Sequence, residues 1–375
     1  MRLMAALLND HEITERVLAH IANRTTDVGD SVWREPVENY RSQERLAAEI
    51  DRVLRRCLTP FCPSAALSAP GSFIAREAAG IPILVVRGED GVVRAFQNVC
   101  RHRGMRVATG SGCTRAFVCG YHGWTYTLDG RLRHIPHEEG FPGVVKAEHG
   151  LTSLHVAERN GVVFVAQRAA ANAEELAELP ELIAPDQKLH AMSARETEAN
   201  WKIVLEGFLE GYHIRATHPE SFLPYGFDNL NVVELLGRHS RVTFPFRRIQ
   251  KLADVPPAER RVTGYVTFVY QLFPNALITV LSNHTNLIVL EPLSIDRTNV
   301  VTYTLTHDSG DSPASLEAAK RDIEFVSMTG AAEDRAIVCG IQRGIASDAN
   351  EHFTFGRYES AIIHFHRTLD AALAG

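Results

Sequence analysis

Two periodicities divide the chain. At 11–23 (HEITERVLAHIAN) and 41–56 (RSQERLAAEIDRVLRR) apolar side chains recur at helical spacing, with Leu46, Ile50, Val53 and Leu54 on one side of the second segment. From about residue 58 to 168 the pattern shortens to strands. Residues 81–99 read as two strands joined by Glu89-Asp90-Gly91, 125–132 as a hairpin turning at Asp129-Gly130, and 151–167 as another turning at Asn160-Gly161. Short strands with turns at this spacing predict a small antiparallel β domain. Residues 169–190 are acidic, rich in Ala and interrupted by Pro180 and Pro185, which predicts a connector with a short helix. Beyond it, helical patterns at 200–212, 314–328, 331–343 and 356–369 flank strand patterns at 231–246, 261–270, 276–282, 286–293 and 298–306. An antiparallel sheet with long helices packed on it is an α+β arrangement. The expected organisation is an N-terminal helical segment (1–57), a β domain (58–168) and a larger α+β domain (169–375).

Composition narrows the class. The chain has 375 residues, 45% hydrophobic and 22% charged, within the range of ordinary globular proteins. Its formal net charge of −6 argues against nucleic acid as the main partner. No apolar run reaches the ~18 residues of a membrane span, and the apolar start MRLMAALL lacks a small-residue cleavage site, so neither a membrane segment nor a signal peptide is expected. Cysteine is sparse, and Cys57, Cys62, Cys113 and Cys339 are expected to be mostly buried or inert thiols, in keeping with a reducing cytoplasm.

The strongest chemical signal lies in the β region. Cys100-x-His102 and Cys119-x-x-His122 form two short pairs, each offering one thiolate and one imidazole. Two soft thiolates and two neutral imidazoles suit a mixed-ligand [2Fe–2S] centre or zinc. Structural Cys2His2 zinc sites usually pair Cys with Cys and His with His, which this order does not. A second constellation occurs at 198–218 (EANWKIVLEGFLEGYHIRATH). Trp201, Val204, Leu205 and Phe208 mark a helix; Glu210 precedes His213 by three positions and is expected on the same helix face; His218-Pro219 reads as the exit. Two His with a distant carboxylate can form a facial triad on one ferrous ion. Glu333 and Asp334 begin a helix after Thr329-Gly330 and, taken alone, would serve as acids favoured by the helix dipole.

The segment CRHRG through VCGYHGWTY resembles the Rieske family, including Arg101, Arg103 and Gly104 after the first pair and Gly120, Gly123 and Trp124 around the second. Asn200-Trp201-Lys202, Glu210-Gly211-Tyr212-His213 and His218-Pro219 resemble the catalytic motif of Rieske non-haem iron oxygenases, and EDRAIVCGIQRG resembles the stretch that supplies their carboxylate ligand. The resemblance runs from about residue 40 to the C-terminus and implies the catalytic (α) subunit. It implies one [2Fe–2S] cluster on Cys100, His102, Cys119 and His122, and one mononuclear Fe(II) on His213, His218 and Asp334, with Glu333 as the substitute one residue away. It also implies a helix-grip-like catalytic domain, a separate NAD(P)H-dependent reductase or ferredoxin, O2 and a small-molecule substrate. Glu210 corresponds to the acidic bridge that carries electrons from the cluster of a neighbouring subunit in a homotrimer. Glu at that position, and the segment GRYESAIIHFHRTL, resemble the branch that oxidises choline, carnitine and betaine, and point to monooxygenation next to nitrogen; hydroxylation of an aromatic ring is the other chemistry of the class. Phe208, Phe222, Tyr225, Phe227, Phe244, Phe246, Phe268, Tyr270 and Phe273 are candidate cavity walls. Arg238, Arg241, Arg247, Arg248 and Lys251 could meet a carboxylate of the substrate, and are expected rather to face water. A zinc-stabilised protein without activity, or a carrier holding only the cluster, is the alternative; a carrier would need only about the first 165 residues.

Overall fold

The computed structural model describes residues 7–168, 176–177, 179–307, 313–326 and 331–374. The chain divides into two compact units, residues 54–189 and residues 1–53 with 190–375. The first 53 residues therefore belong to the same unit as the C-terminal half.

The 54–189 unit is built on a seven-stranded sheet in the order Thr59–Pro63, Val162–Ala166, Ser153–Arg159, Val93–Gln97, Ile81–Arg87, Ser72–Ala78, Gly110–Cys113. A small three-stranded sheet follows from Phe117–Val118, Thr125–Tyr126 and Leu132–His134. The three expected hairpins are present, each turning where the sequence places Gly. Gly130 has φ +83°, and a Cβ there would lie 2.4 Å from the Phe96 ring, so both the turn and the packing require glycine. Leu84, Val86, Phe96, Trp124, Tyr126 and Leu132 form the core between the sheets, and Cys100 and Cys119 are part of it. The short helix expected within 169–190 falls largely on residues outside those described.

The second unit carries another seven-stranded sheet. Its order is Gln187–Thr197, Arg297–His307, Thr285–Ser294, Ala276–Val280, Val266–Leu272, His239–Pro245, Val232–Leu236. The strand Gln187–Thr197 begins inside the expected connector; eight of its eleven residues, Lys188–Glu196 apart from Leu189, are exposed, so it shows no apolar alternation that could announce it. One side of the sheet covers a core of Ile13 and Val17 from the Asp10–Asn23 helix with Val232, Ile249, Leu252 and Val266. The helices Trp201–Glu206, Ala331–Ile345 and Ser360–Ala374 complete the unit, and Trp33–Pro36 pairs with His352–Phe355.

Three local expectations change. Apolar periodicity places Ile50 inward, but Glu49 is the fully buried residue and Ile50 is only partly covered. The turn widens to a π-helix over Glu49–Leu54, and the Glu49 carboxylate meets Lys202 Nζ at 2.9 Å, Trp201 Nε1 at 2.9 Å and Arg45 Nε at 3.0 Å. Arg241 does not face water: it is 5% exposed, paired with Glu234 and stacked over Phe268, and its guanidinium donates to the Leu8 carbonyl at 3.0 Å. The helix expected over 200–212 stops at Glu206, where the amides of Phe208 and Leu209 turn back to the carbonyls of Leu205 and Glu206, three residues earlier.

Candidate metal centres

In the 54–189 unit the two Cys/His loops close in the same way. The Cys100 N–H donates to the Met105 carbonyl at 2.8 Å and the Gly104 N–H to the Cys100 carbonyl at 2.9 Å; the Cys119 N–H donates to Trp124 at 2.8 Å and the Gly123 N–H to Cys119 at 2.9 Å. Each loop needs its glycine, with φ of +81° at Gly104 and +74° at Gly123. Both thiols point inward at 3% exposure, while His102 is half-buried and His122 exposed. The two imidazoles are neighbours, with ring centroids 4.6 Å apart. Trp124 lies parallel to His102 at 5.0 Å, Phe141 meets both edge-on, and Tyr121 covers His122 at 3.7 Å. The Tyr126 hydroxyl accepts the Arg101 N–H at 2.9 Å, which leaves its own proton for the Cys100 sulfur 3.3 Å away. Burial, His122 and Arg103 lower the His102 pKa, which favours the neutral imidazole a metal requires.

This donor set fits a dinuclear cluster better than zinc. Four ligands of one tetrahedral ion must converge on a point. Among the described residues, the group of His, Cys, Asp and Glu that converges so closely is His213, His218 and Asp334, not the Cys/His quartet. Buried thiols on one side and outward imidazoles on the other match one iron held by sulfur and one by nitrogen.

The second centre lies in the other unit, on the loop that follows the truncated helix. Glu210 does not reach His213 along a helix face. Its carboxylate folds over the turn, accepting the backbone N–H groups of Tyr212 and of His213, the latter at 3.1 Å, and also pairs with His213 Nδ1. A short helical turn, Ile214–Thr217, then carries the chain to His218. One ligand atom each from His213, His218 and Asp334 lie within 4.8 Å of one another. His218 Nε2 is 2.8 Å and His213 Nε2 3.7 Å from Asp334 Oδ1. Burial would push both imidazolium groups down, but Glu210 with Asp334 at His213, and Asp334 with Glu333 at His218, outweigh it and raise both pKa values. Glu333, the neighbour of Asp334 on the Ala331–Ile345 helix, meets the other face of His218, with Oε2 2.6 Å from Nδ1. Thr329 and Gly330, expected to break the chain before this helix, lie outside the described residues.

Of the nine candidate wall aromatics, Phe222 packs on His218 at 4.7 Å and Phe244 lies beside Gly211. Tyr225 meets Phe325, which also touches Phe222. Phe268 and Tyr270 instead flank Arg241, and Phe273 packs on Phe365. Sequence reasoning missed Ser221, Tyr126 and Phe325. A buried hydroxyl three residues after His218 is the one signal that could have found Ser221.

The catalytic-domain description "Ring hydroxylating alpha subunit" matches residues 185–375, and "Rieske [2Fe-2S] domain" matches residues 57–154. The chain belongs to the ring-hydroxylating alpha subunit family. Like other members it joins a Rieske domain to a mixed helix and antiparallel-sheet catalytic domain. It is 30% identical over 346 residues to the glycine betaine monooxygenase oxygenase subunit of Chromohalobacter salexigens, covering 80% of this chain and 76% of that one. It is 34% identical over 202 residues to the carnitine monooxygenase oxygenase subunit of Acinetobacter pittii, covering 51% of this chain and 54% of the relative. The chain thus spans about half the length of the carnitine monooxygenase relatives it matches. The crystal structure of the quaternary ammonium Rieske monooxygenase CntA with L-carnitine shares the fold, with a TM-score of 0.76 at 24% identity over 92% of this chain and 96% of that one. Membership of this family implies a Rieske [2Fe-2S] cluster and a mononuclear iron as the cofactors. No described helix is long and apolar enough to cross a membrane.

Proposed function

We propose that the chain is a terminal oxygenase that hydroxylates an alkylammonium substrate at a carbon next to nitrogen. The observation that carries the oxygenase reading is the convergence of His213, His218 and Asp334, two imidazoles and one carboxylate, a donor set that would suit a non-haem ferrous ion. The alkylammonium preference rests on the relatives named for carnitine and glycine betaine, and on the aromatic cluster of Phe222, Phe325 and Tyr225 beside His218. Ring faces of this kind attract a quaternary cation.

In this reading Cys100, Cys119, His102 and His122 hold the cluster, and His213, His218 and Asp334 hold the ferrous ion. When bound, the cluster supplies single electrons and the ferrous ion supplies the place where O2 is reduced; one oxygen atom goes to the C–H bond and the other leaves as water, with two electrons and two protons consumed. Glu210 fixes the His213 ring by accepting its Nδ1 proton, so that Nε2 faces Asp334. Tyr212, two residues from Glu210 and bonded to its carboxylate through the backbone N–H, is exposed, so the turn lies at the surface of its unit, where the cluster-bearing unit of a neighbouring subunit can approach it in a homotrimer. A separate reductase provides the electrons.

The test is substrate-dependent oxygen uptake by the reductase-coupled protein. Trimethylammonium compounds such as carnitine, glycine betaine and choline are expected to stimulate uptake and to be demethylated or cleaved. Uptake with aromatic acids alone would replace the substrate assignment by ring hydroxylation. Glu210→Gln is expected to keep both metals and to slow reoxidation of the reduced cluster; normal reoxidation would remove Glu210 from the electron route. Light scattering checks the trimer.

A further inference from the structure

The two adjacent acids at the start of the Ala331–Ile345 helix approach His218 from opposite sides. Asp334 Oδ1 faces Nε2 at 2.8 Å and Glu333 Oε2 faces Nδ1 at 2.6 Å. The same Glu333 oxygen accepts the Ser221 hydroxyl at 2.7 Å, and Ser221 is 3% exposed. His218 itself is 1% exposed. Its main-chain N–H donates to the Ile214 carbonyl at 3.0 Å, and Phe222 covers the ring.

We propose that Glu333 is a positioning residue for the iron site, acting through His218 and held in place by Ser221. This rests on the iron-site reading above and assigns different work to the two neighbouring carboxylates. An imidazole that binds a metal through one nitrogen carries its proton on the other, and an acceptor on that proton selects the tautomer and raises the basicity of the ligating nitrogen. Glu333 is that acceptor: it keeps the proton on Nδ1 and turns the Nε2 lone pair toward Asp334 and His213 Nε2. Glu210 does the same for His213 from the other end of the turn. Glu210 comes from the loop and Glu333 from a distant helix. The site is therefore clamped from both sides, and the helix that delivers Asp334 also orients the ring opposite it.

The probe is Co(II), a redox-stable stand-in for Fe(II), added to protein stripped of mononuclear iron but retaining its cluster. With the cluster oxidised and diamagnetic, the Co(II) EPR signal reports the site directly. Glu333→Gln keeps an acceptor for Nδ1 but removes the charge. It is expected to weaken Co(II) binding by roughly 10–100-fold and to shift the EPR signal while cluster content stays at the wild-type level. Glu333→Asp should restore part of the affinity, and Ser221→Ala should weaken binding less than Glu333→Gln with a shift in the same direction. Wild-type affinity and an unchanged signal in Glu333→Ala would overturn the positioning role. Loss of the site in Glu333→Ala together with retention in Asp334→Asn would overturn the division of labour and make Glu333 the ligand. Failure of the wild-type protein to take up one Co(II) per chain, or uptake that survives His213→Ala/His218→Ala, would strike the iron-site reading itself.

Discussion

The Tyr126 hydroxyl stands 3.3 Å from the Cys100 sulfur, oriented by the Arg101 N–H that donates to its oxygen. A donor aimed at a cluster-ligating sulfur stabilises the electron-rich reduced state and so raises the reduction potential. Tyr126→Phe is expected to lower the potential of the cluster while preserving its visible spectrum and iron content. Voltammetry of the purified protein measures it, and an unchanged potential would show that the hydroxyl does not bear on the sulfur.

Phe222 covers His218 next to Phe325. If the substrate cation rests on this ring, Phe222→Leu forfeits about 1–2 kcal/mol of cation–π attraction, which corresponds to a rise in KM of roughly 5–30-fold for a trimethylammonium substrate. Iron content should not change. A KM that stays the same would place the cation elsewhere.

Lys202 and Glu49 form an ion pair in which both side chains are buried. Burial pushes the Lys202 pKa down, opposed by Glu49. Breaking such a pair from one side typically costs ~3–5 kcal/mol, because a charge is left without its partner. Arg45 and the Trp201 indole N–H remain on Glu49, so Lys202→Met should fall at the lower end of that range. Denaturant unfolding followed by Trp fluorescence reads the loss; an unchanged midpoint would mean that the pair contributes nothing net.

His239 accepts the Phe273 N–H at its Nδ1, at 3.0 Å, and burial together with Arg238 and His364 lowers its pKa to about 4. The unfolded chain therefore binds a proton at this residue between about pH 6.5 and 4 that the folded chain refuses, so stability rises with pH across that window and is lost on acidification. His239→Gln can keep the acceptor and cannot titrate. Its stability should fall less steeply than the wild type's from pH 6.5 to 4, with a difference of about 3 kcal/mol at most. Parallel pH profiles of the two proteins would refute the assignment.

The Cys/His and His/His motifs were readable because each is local. Cys100 with His102 and Cys119 with His122 each sit on one loop whose required glycine, Gly104 or Gly123, stands beside them in the sequence, and His213 with His218 bracket one short helical turn. Hairpins announced by Asp-Gly and Asn-Gly turns were readable for the same reason. Glu49 was not: its inward position depends on Lys202 and Trp201, more than a hundred residues away, and helical periodicity pointed to Ile50 instead. The strand Gln187–Thr197 escaped because its mostly exposed surface carries no alternation, and Arg241 because its burial depends on the Leu8 carbonyl, more than two hundred residues away, and on Phe268, as well as on its hairpin neighbour Glu234.

By itself, then, the sequence determined which residue types could bind metal and in what pairs, and the resemblance named Asp334 with Glu333 beside it. Only the tertiary structure separated the two acids. Consecutive residues on a helix project about 100° apart, and the packing of the Ala331–Ile345 helix against the His213–His218 turn turns one carboxylate toward the converging Nε2 atoms and the other toward the Nδ1 of His218. That choice depends on the angle between two elements 115 residues apart, which no local pattern encodes.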